Sequence, residues 1–483
     1  MGLLDPALPD YDPLDWARRP FSERARMVCD SWVLQGYGAP LPVYLAYSFK
    51  ALLYIGGWLL ACRFTPGLGE LGTLSAWWLE PTAFHKAIVW SMLFEILGLG
   101  CGSGPLTGRY LPPVGGFLYF LRPGTTKLAL FPGVPVIGGH RRGWLDVVLY
   151  AATVGVCLWA LSSAAVGREQ VIALVVLVPL LGILDKTLFL AARGEHYWTT
   201  LVVLLFADDW IAGAKAVMLA LWFWAGVSKL NHHFPTVVSV MTSNSPFTRR
   251  LPWLRRMMVR SYPEDMRPST LATILAHAGT ALEIGVPLVL ALSPGGDSLV
   301  LGIVLMLFLH GYITSNVPMG VPIEWNIMMV YGGFALFWAH PEVTVLDLGP
   351  PGLALFLVAM LVGVPLLGNL MPERVSFLLA MRYYAGNWPV SIWLFRGESH
   401  RRLERLCKSS GWIEDQLGRF YDEATRIVLF SKVLAFRLMH LHGRALGKLL
   451  PRAVDDLDER TYVDGELIAG LVLGWNFGDG HLH

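Results

Sequence analysis

Lys229 sits where an apolar run ends. Residues 211–224 are among the most apolar of the chain, and they lead into Ala225-Gly226-Val227-Ser228-Lys229-Leu230-Asn231-His232-His233. An ammonium at the inner end of a bilayer-length segment is costly, so it either snorkels along its own alkyl stem to the headgroups or is there for chemistry. Three further polar clusters accompany it: Glu195-His196-Tyr197 ahead of an apolar run, Glu283 inside a later hydrophobic segment, and His310 deep in residues 301–312.

A lysine serves as a general base only where burial or a neighbouring cation brings its proton affinity down to the working pH. Trp222, Phe223 and Trp224 lie one to two turns before Lys229 and provide apolar surroundings of that kind. Imidazole titrates near neutrality, so His196 and His310 can polarise a carbonyl or shuttle a proton. Glu283 can hold one of them or act as a neutral acid in a dry site. For each residue alone the plainer reading is a helix-to-helix hydrogen bond. Together they are expected to line one pocket with Trp or Phe walls, Lys229 and His196 facing the same space and His310 or Glu283 at its edge.

Composition sets the class that must position these groups. With 54% hydrophobic residues, 15% charged residues, 19 tryptophans and a mean hydropathy of +0.50, the chain reads as a polytopic membrane protein. A formal charge of +2 is too small to suggest nucleic acid as a partner. The five cysteines, Cys29, Cys62, Cys101, Cys157 and Cys407, are scattered without CxxC spacing, which argues against a disulfide framework and against a zinc site.

The expected fold is all-α, with about ten transmembrane helices and a small cytoplasmic C-terminal cap. Residues 1–42 read as a cytoplasmic arm, with a helix on the membrane surface anchored by Trp16, Phe21 and Trp32. Residues 43–372 form the transmembrane domain, with spans predicted at 44–62, 84–100, 144–166, 171–192, 211–230, 271–292, 299–316, 322–338 and 351–370. The segment 197–206 is apolar but only about ten residues, half the usual length, and is read as a short or tilted helix that still reverses the chain. The Gly- and Pro-rich stretch 105–142 is too irregular to cross lipid and reads as a cytoplasmic or re-entrant loop. Residues 373–483 form the cap, with an amphipathic helix through Trp412 to Met439 and a strand or two over 462–475 turning at Gly465. Arginines concentrate in 105–142, 231–268 and after Arg374, while 293–297 and 340–349 carry no Lys or Arg. By the positive-inside rule this places both termini in the cytoplasm and the protein in the plasma membrane.

The order Glu195-His196-Tyr197, Ala225-Gly226-Val227-Ser228-Lys229-Leu230, Leu282-Glu283-Ile284-Gly285-Val286-Pro287-Leu288, His310 and Met319-Gly320-Val321-Pro322 resembles the vitamin K-dependent gamma-carboxylase family. More broadly it resembles the horizontally transferred transmembrane (HTTM) domain of bacterial relatives. The resemblance covers residues 171–338; the rest, including Asn476-Phe477-Gly478-Asp479-Gly480-His481, is similar to a bacterial family of transmembrane proteins without an assigned function. It implies that Lys229 is the base that deprotonates a reduced quinone of the menaquinol or vitamin K type. Molecular oxygen then attacks, an epoxide forms, and the strong base so produced takes a proton from the substrate. His196 matches a residue implicated in carboxylation and His310 occupies a further matching position, so the resemblance makes these three the expected catalytic residues. Glu283, Tyr197, Trp222 and Glu324 are the expected pocket residues, with no metal.

The chain departs from that pattern in two places. Only about a hundred residues follow Arg374, so the large lumenal domains that bind the carboxylase's protein substrates have no counterpart. Glu324-Trp325-Asn326 puts a charge where the family is usually apolar, which points to a different substrate. The leading expectation is a membrane enzyme that uses a reduced quinone and oxygen to modify a lipophilic small molecule, with membrane lipids as its other partners. The alternative is a non-catalytic lipid-binding or envelope-assembly protein that keeps the fold.

Lesser signals have plainer readings. His232-His233 reads as interfacial, because adjacent histidines cannot easily ligate one metal. Asp479, His481 and His483 alternate as strand-face ligands would, but three residues near one end are weak grounds for a metal. Gly115-Gly116 and Gly138-Gly139 lack the strand-to-helix setting of a phosphate cradle. The arginines from Arg249 to Arg256 read as a topology determinant that can also hold anionic headgroups. The arginine placement predicts that a cysteine label at Gly295 reacts with an impermeant reagent from outside and that the Arg255 region does not; the same reactivity at both would remove the ten-crossing arrangement.

Overall fold

The computed structural model describes residues 6–36, 38–100, 120–125, 127–230, 234–262, 264–316, 322–370, 392–394, 417–439 and 462–464. These are helical apart from two short antiparallel ribbons. The arm supplies α1 (Pro13–Arg18) and α2 (Phe21–Gln35). Among the described residues five helices are long and apolar enough to cross a membrane: α3 (Leu41–Cys62), α5 (Trp144–Ser162), α8 (Trp210–Val227), α11 (Thr270–Leu292) and α12 (Gly296–Ser315). Between them lie α4 (Pro81–Ile96), α6 (Arg168–Leu184), the short α7 (Tyr197–Phe206), α9 (Phe234–Asn244) and α10 (Pro252–Met257). Next comes α13 (Ile323–Gly332), which widens into a π-helical turn at Gly333–Trp338. Then α14 opens at Pro351–Val358, passes through a similar turn and ends in Val364–Leu370.

Local chemistry sets these boundaries. The Asp209 side chain accepts from Ile211 N at 2.9 Å and starts α8, and Ser269 accepts from Ala272 N at 3.1 Å and starts α11. Proline stands in the first turn of α3 and of α4, where its missing N–H has no helical partner to lose. The helices then pack in pairs, α5 on α6, α6 on α7 and α11 on α12 between neighbours in sequence, and α8 on α11 across α9 and α10. One apolar core runs through them, from Phe84 and Met92 of α4 to Leu221 of α8 and Met306 of α12.

Two buried lysines satisfy backbone carbonyls, Lys86 at helix ends and Lys215 in the loop after Trp338. Lys86 donates to Ala61 O at 2.7 Å and Leu161 O at 3.1 Å, at the ends of α3 and α5. Lys215 donates to His340 O at 2.7 Å and Val343 O at 2.5 Å. The 127–142 stretch is anchored by buried ion pairs, Lys127 to Asp146 and Arg142 to Asp185, each at 2.8 Å.

The arm and the cap meet. Helix α15 (Glu423–Met439) packs on α1 and α2, and Trp16 and Trp32 are buried there with Val28, Val33 and Ala435. The two tryptophans therefore pack protein, not lipid as expected for surface anchors, because the apolar face of α15 covers them. Trp16 satisfies its indole N–H on Arg24 O at 3.0 Å. Strand β1 (Ile392–Leu394) pairs with β2 (Tyr462–Asp464), so the strand expected at 462 is present and has a partner earlier in the chain. Gly465 and the residues after it lie outside the described residues, as do Gly115-Gly116, His232-His233, Met319-Gly320-Val321 and the Asp479, His481, His483 set.

Candidate functional site

Three consecutive side chains of α13 organise the polar interior. A helix turns 100° per residue, so Glu324, Trp325 and Asn326 point to three different neighbours. Glu324 is 1% exposed and meets Lys50 of α3 at 2.8 Å and Arg193 at 4.0 Å. Arg193 also binds Glu95 of α4 at 2.6 Å. Two carboxylates and two cations thus alternate with zero net charge, which is the condition for charges to persist away from water. The Arg193 backbone is left-handed, φ 46°, and its guanidinium lies 4.7 Å from the Trp325 ring centre.

Trp325 reaches the first expected histidine. Its indole N–H donates to His196 Nδ1 at 3.1 Å, which leaves the proton on Nε2, and no partner for Nε2 is found among the described residues. Tyr197 stacks on the His196 ring at 4.5 Å. The Tyr197 hydroxyl is buried and has no hydrogen-bond partner among the described residues.

Asn326 reaches the second. Its amide donates to Pro322 O at 3.1 Å, so its oxygen faces His310 and accepts from Nδ1–H at 2.7 Å. His310 Nε2 accepts from the Trp222 indole at 2.8 Å. Both ring nitrogens are therefore engaged and the imidazole is held as the neutral Nδ1–H tautomer. Trp222 and His310 come together as expected; the ring nitrogens of His310 are satisfied within the protein.

Lys229 pairs with Glu283 and donates to Ala225 O at 3.1 Å, with the Phe234 ring 5.9 Å away. Glu283 thus holds the lysine and not a histidine. Gly226 makes this contact possible: a Cβ there would stand 2.6 Å from Ile284 Cγ1 and 3.3 Å from Ile284 N. Only glycine lets the end of α8 approach α11 this closely. Both charges of the pair act electrostatically on His310.

Beside His310 lies a cavity of about 520 Å³, bounded by α3, α4, α12 and α13. Tyr54, Trp58, Trp90 and Tyr331 form its walls, and His310 and Asn326 bring polar atoms to it. Ile55 and Leu307, also on its lining, are exposed. His310 is the one expected catalytic residue on that lining; Lys229, His196, Glu283 and Glu324 are not on it, His196 being bonded to Trp325 and His310 to Trp222 and Asn326. Among the described residues no group of three or more His, Cys, Asp or Glu is placed to hold a metal ion.

Lys50, Arg193 and Trp325 were not singled out by sequence. For Lys50 a signal existed, a cation in the middle of an otherwise apolar span. Arg193 precedes the His196 cluster but carries no spacing that points to Glu95.

Five membrane-length helices and a buried charge network define a polytopic helical membrane protein. A family profile described as transmembrane protein of unknown function (DUF3556) matches residues 1–483, and the chain belongs to that family. No curated protein and no solved structure matches it.

Replacing Glu324 by Leu removes the carboxylate that lies between Lys50 and Arg193. It is expected to cost about 3–5 kcal/mol, read as a lower unfolding midpoint in detergent. Lys50→Met with Glu324→Leu restores neutrality and is expected to recover part of the loss. Wild-type stability of the single variant would show that the network does not hold α13.

Proposed function

We propose that this protein is a membrane enzyme that binds a lipophilic small molecule in the aromatic cavity and uses Lys229 as a base. Two observations support this reading: a lysine–carboxylate pair at the α8–α11 crossing, and a cavity whose polar edge is His310 and Asn326, with Trp222 of α8 bonded to that His310. A volume of about 520 Å³ is in the range of small-molecule pockets, and flat aromatic walls suit a flat ring. A reduced quinone of the menaquinol or vitamin K type fits these residues and, when bound, supplies reducing equivalents to molecular oxygen. The resemblance of the Lys229, His196 and Glu283 motifs to the vitamin K-dependent carboxylases and HTTM domains supports the same assignment.

Within that reading the side chains divide the work by geometry. Ala225 O and Glu283 orient the Lys229 amine. To accept a proton, the ammonium first releases one, and Glu283 is the carboxylate in contact with it. His310, fixed on both sides, positions and shapes the cavity edge. His196 keeps Nε2–H available to donate to a developing negative charge, and the Tyr197 hydroxyl lies beside it. The exposed flank at Ile55 and Leu307 gives a lipophilic molecule, or a membrane lipid, a route from the bilayer. We place the protein in the plasma membrane with about ten crossings and cytoplasmic termini, on the arginine distribution.

One observation favours a second reading, a lipid-binding or envelope-assembly protein without chemistry: an ion-paired lysine and a fully bonded histidine are also what a purely structural network looks like.

Lys229→Arg and Lys229→Ala separate the two. Arginine keeps the cation for Glu283 but stays protonated in proteins. A catalytic lysine predicts folded Arg and Ala variants that both fail to complement a deletion strain, since loss of a general base costs about 10²–10⁴ in rate. Full rescue by Lys229→Arg would leave only the structural role.

A further inference from the structure

The arginines of the 245–258 segment have a feature that topology alone does not require. Arg255 of α10 is 7% exposed, yet its Nε–H has no hydrogen-bond partner among the described residues. Asn244, at the end of α9, is 2% exposed, and among the described residues its Nδ2 is likewise without a partner. Among the described residues Arg249, Arg250, Arg255 and Arg256 form no ion pair with a carboxylate. Burial and the neighbouring Arg249 both push the Arg255 guanidinium below its usual pKa.

The groups lie together. A Cβ on Gly36, the left-handed residue that ends α2, would stand 2.1 Å from Ser243 O and 3.5 Å from Arg255 Nη1. That puts the guanidinium against the end of α9, next to Asn244. Arg249 donates to the Tyr44 hydroxyl at 3.0 Å, on the first turn of α3. The two unsatisfied atoms of Arg255 and Asn244 are donors, and Arg249 adds a second positive charge beside Arg255, so an acceptor that carries negative charge would satisfy them. A buried donor left unpaired is costly, which is a reason to look for its partner outside the chain.

The surroundings indicate where that partner comes from. Phe247, Trp253 and Met257 are 74%, 59% and 50% exposed, and Leu45 and Phe49 of α3 are exposed beside Tyr44. Exposed aromatic residues next to arginines at the start of a span mark the headgroup layer. The two non-bridging oxygens of a phosphodiester, each able to accept more than one hydrogen bond, suit a pair of guanidinium forks and an amide.

We propose that Arg249, Arg255 and Asn244 form a phosphate-binding site, filled by the headgroup of an anionic phospholipid. The site is separate from the aromatic cavity and does not depend on Lys229 chemistry.

The test uses the full chain in neutral detergent, titrated with dioleoylphosphatidylglycerol, with inorganic phosphate and with diacylglycerol. Unfolding midpoint and native mass spectrometry are the readouts. Phosphatidylglycerol is expected to raise the midpoint by roughly 2–4 °C and to stay bound in the spectrometer. Arg249→Gln and Asn244→Leu are expected to weaken that binding at least about tenfold, as loss of a charge-assisted bond would. The exposed control Arg267→Gln leaves it unchanged. Without lipid, Arg255→Gln is expected to be no less stable than wild type, because it removes an uncompensated buried charge. A shift with inorganic phosphate equal to that with lipid, and lost in Arg249→Gln, keeps the anion site but makes free phosphate its occupant. Equal lipid binding by wild type and Arg249→Gln, or an equal shift with diacylglycerol, overturns the proposal; should Arg255→Gln fail to fold, Arg249→Gln still decides.

Discussion

A carboxylate that is 1% exposed can persist in an apolar helix bundle only when cations reach it, and Glu324 has two, Lys50 and Arg193. That requirement fixes α13 against α3 and against the turn before α7. Once its rotation is set, the next two side chains have no freedom in what they face. Trp325 meets His196 and Asn326 meets His310, so one electrostatic condition positions both histidines. The aromatic cavity lies against the same helix, with Asn326 on its lining.

The other half of the arrangement depends on a close helix crossing. Gly226 brings α8 onto the backbone of α11, and Lys229, one turn further on, finds Glu283. A side chain at position 226 would push the helices apart and separate the pair. The glycine and lysine of Ala225-Gly226-Val227-Ser228-Lys229 therefore have one geometric purpose: the glycine provides the approach and the lysine uses it. Trp222, one turn earlier, ties this crossing to His310.

Much of the helical layout was legible because apolar run length and punctuation carry it. The short helix at Tyr197–Phe206 lies where its ten apolar residues and Asp208-Asp209 put it, and the interruption before Trp144 lies at the Gly- and Pro-rich stretch. The polar residues worth watching were also legible, since ionisable groups in apolar runs are rare. Their partners were not. Whether Glu283 faces a histidine or Lys229 depends on the rotation of α11 about its axis, and hydropathy cannot fix that when a helix is apolar on most faces. Arg193 meets Glu95 across a distance in sequence that no local pattern encodes. Trp16 and Trp32 look like membrane anchors by composition; only the distant α15 reveals that they are buried.

The central claim is that the cavity edged by His310 and Asn326 receives a flat lipophilic ring. Photolabelling of the purified full chain in lipid nanodiscs with a photoreactive naphthoquinone, followed by peptide mapping, addresses it directly. Labels are expected on the cavity walls, at Trp58, Trp90 or Tyr331, and are expected to disappear in Ala87→Trp, whose side chain would fill the space that Ala87 now borders. Labelling confined to other helices, or unchanged labelling of the Ala87→Trp protein, would contradict it.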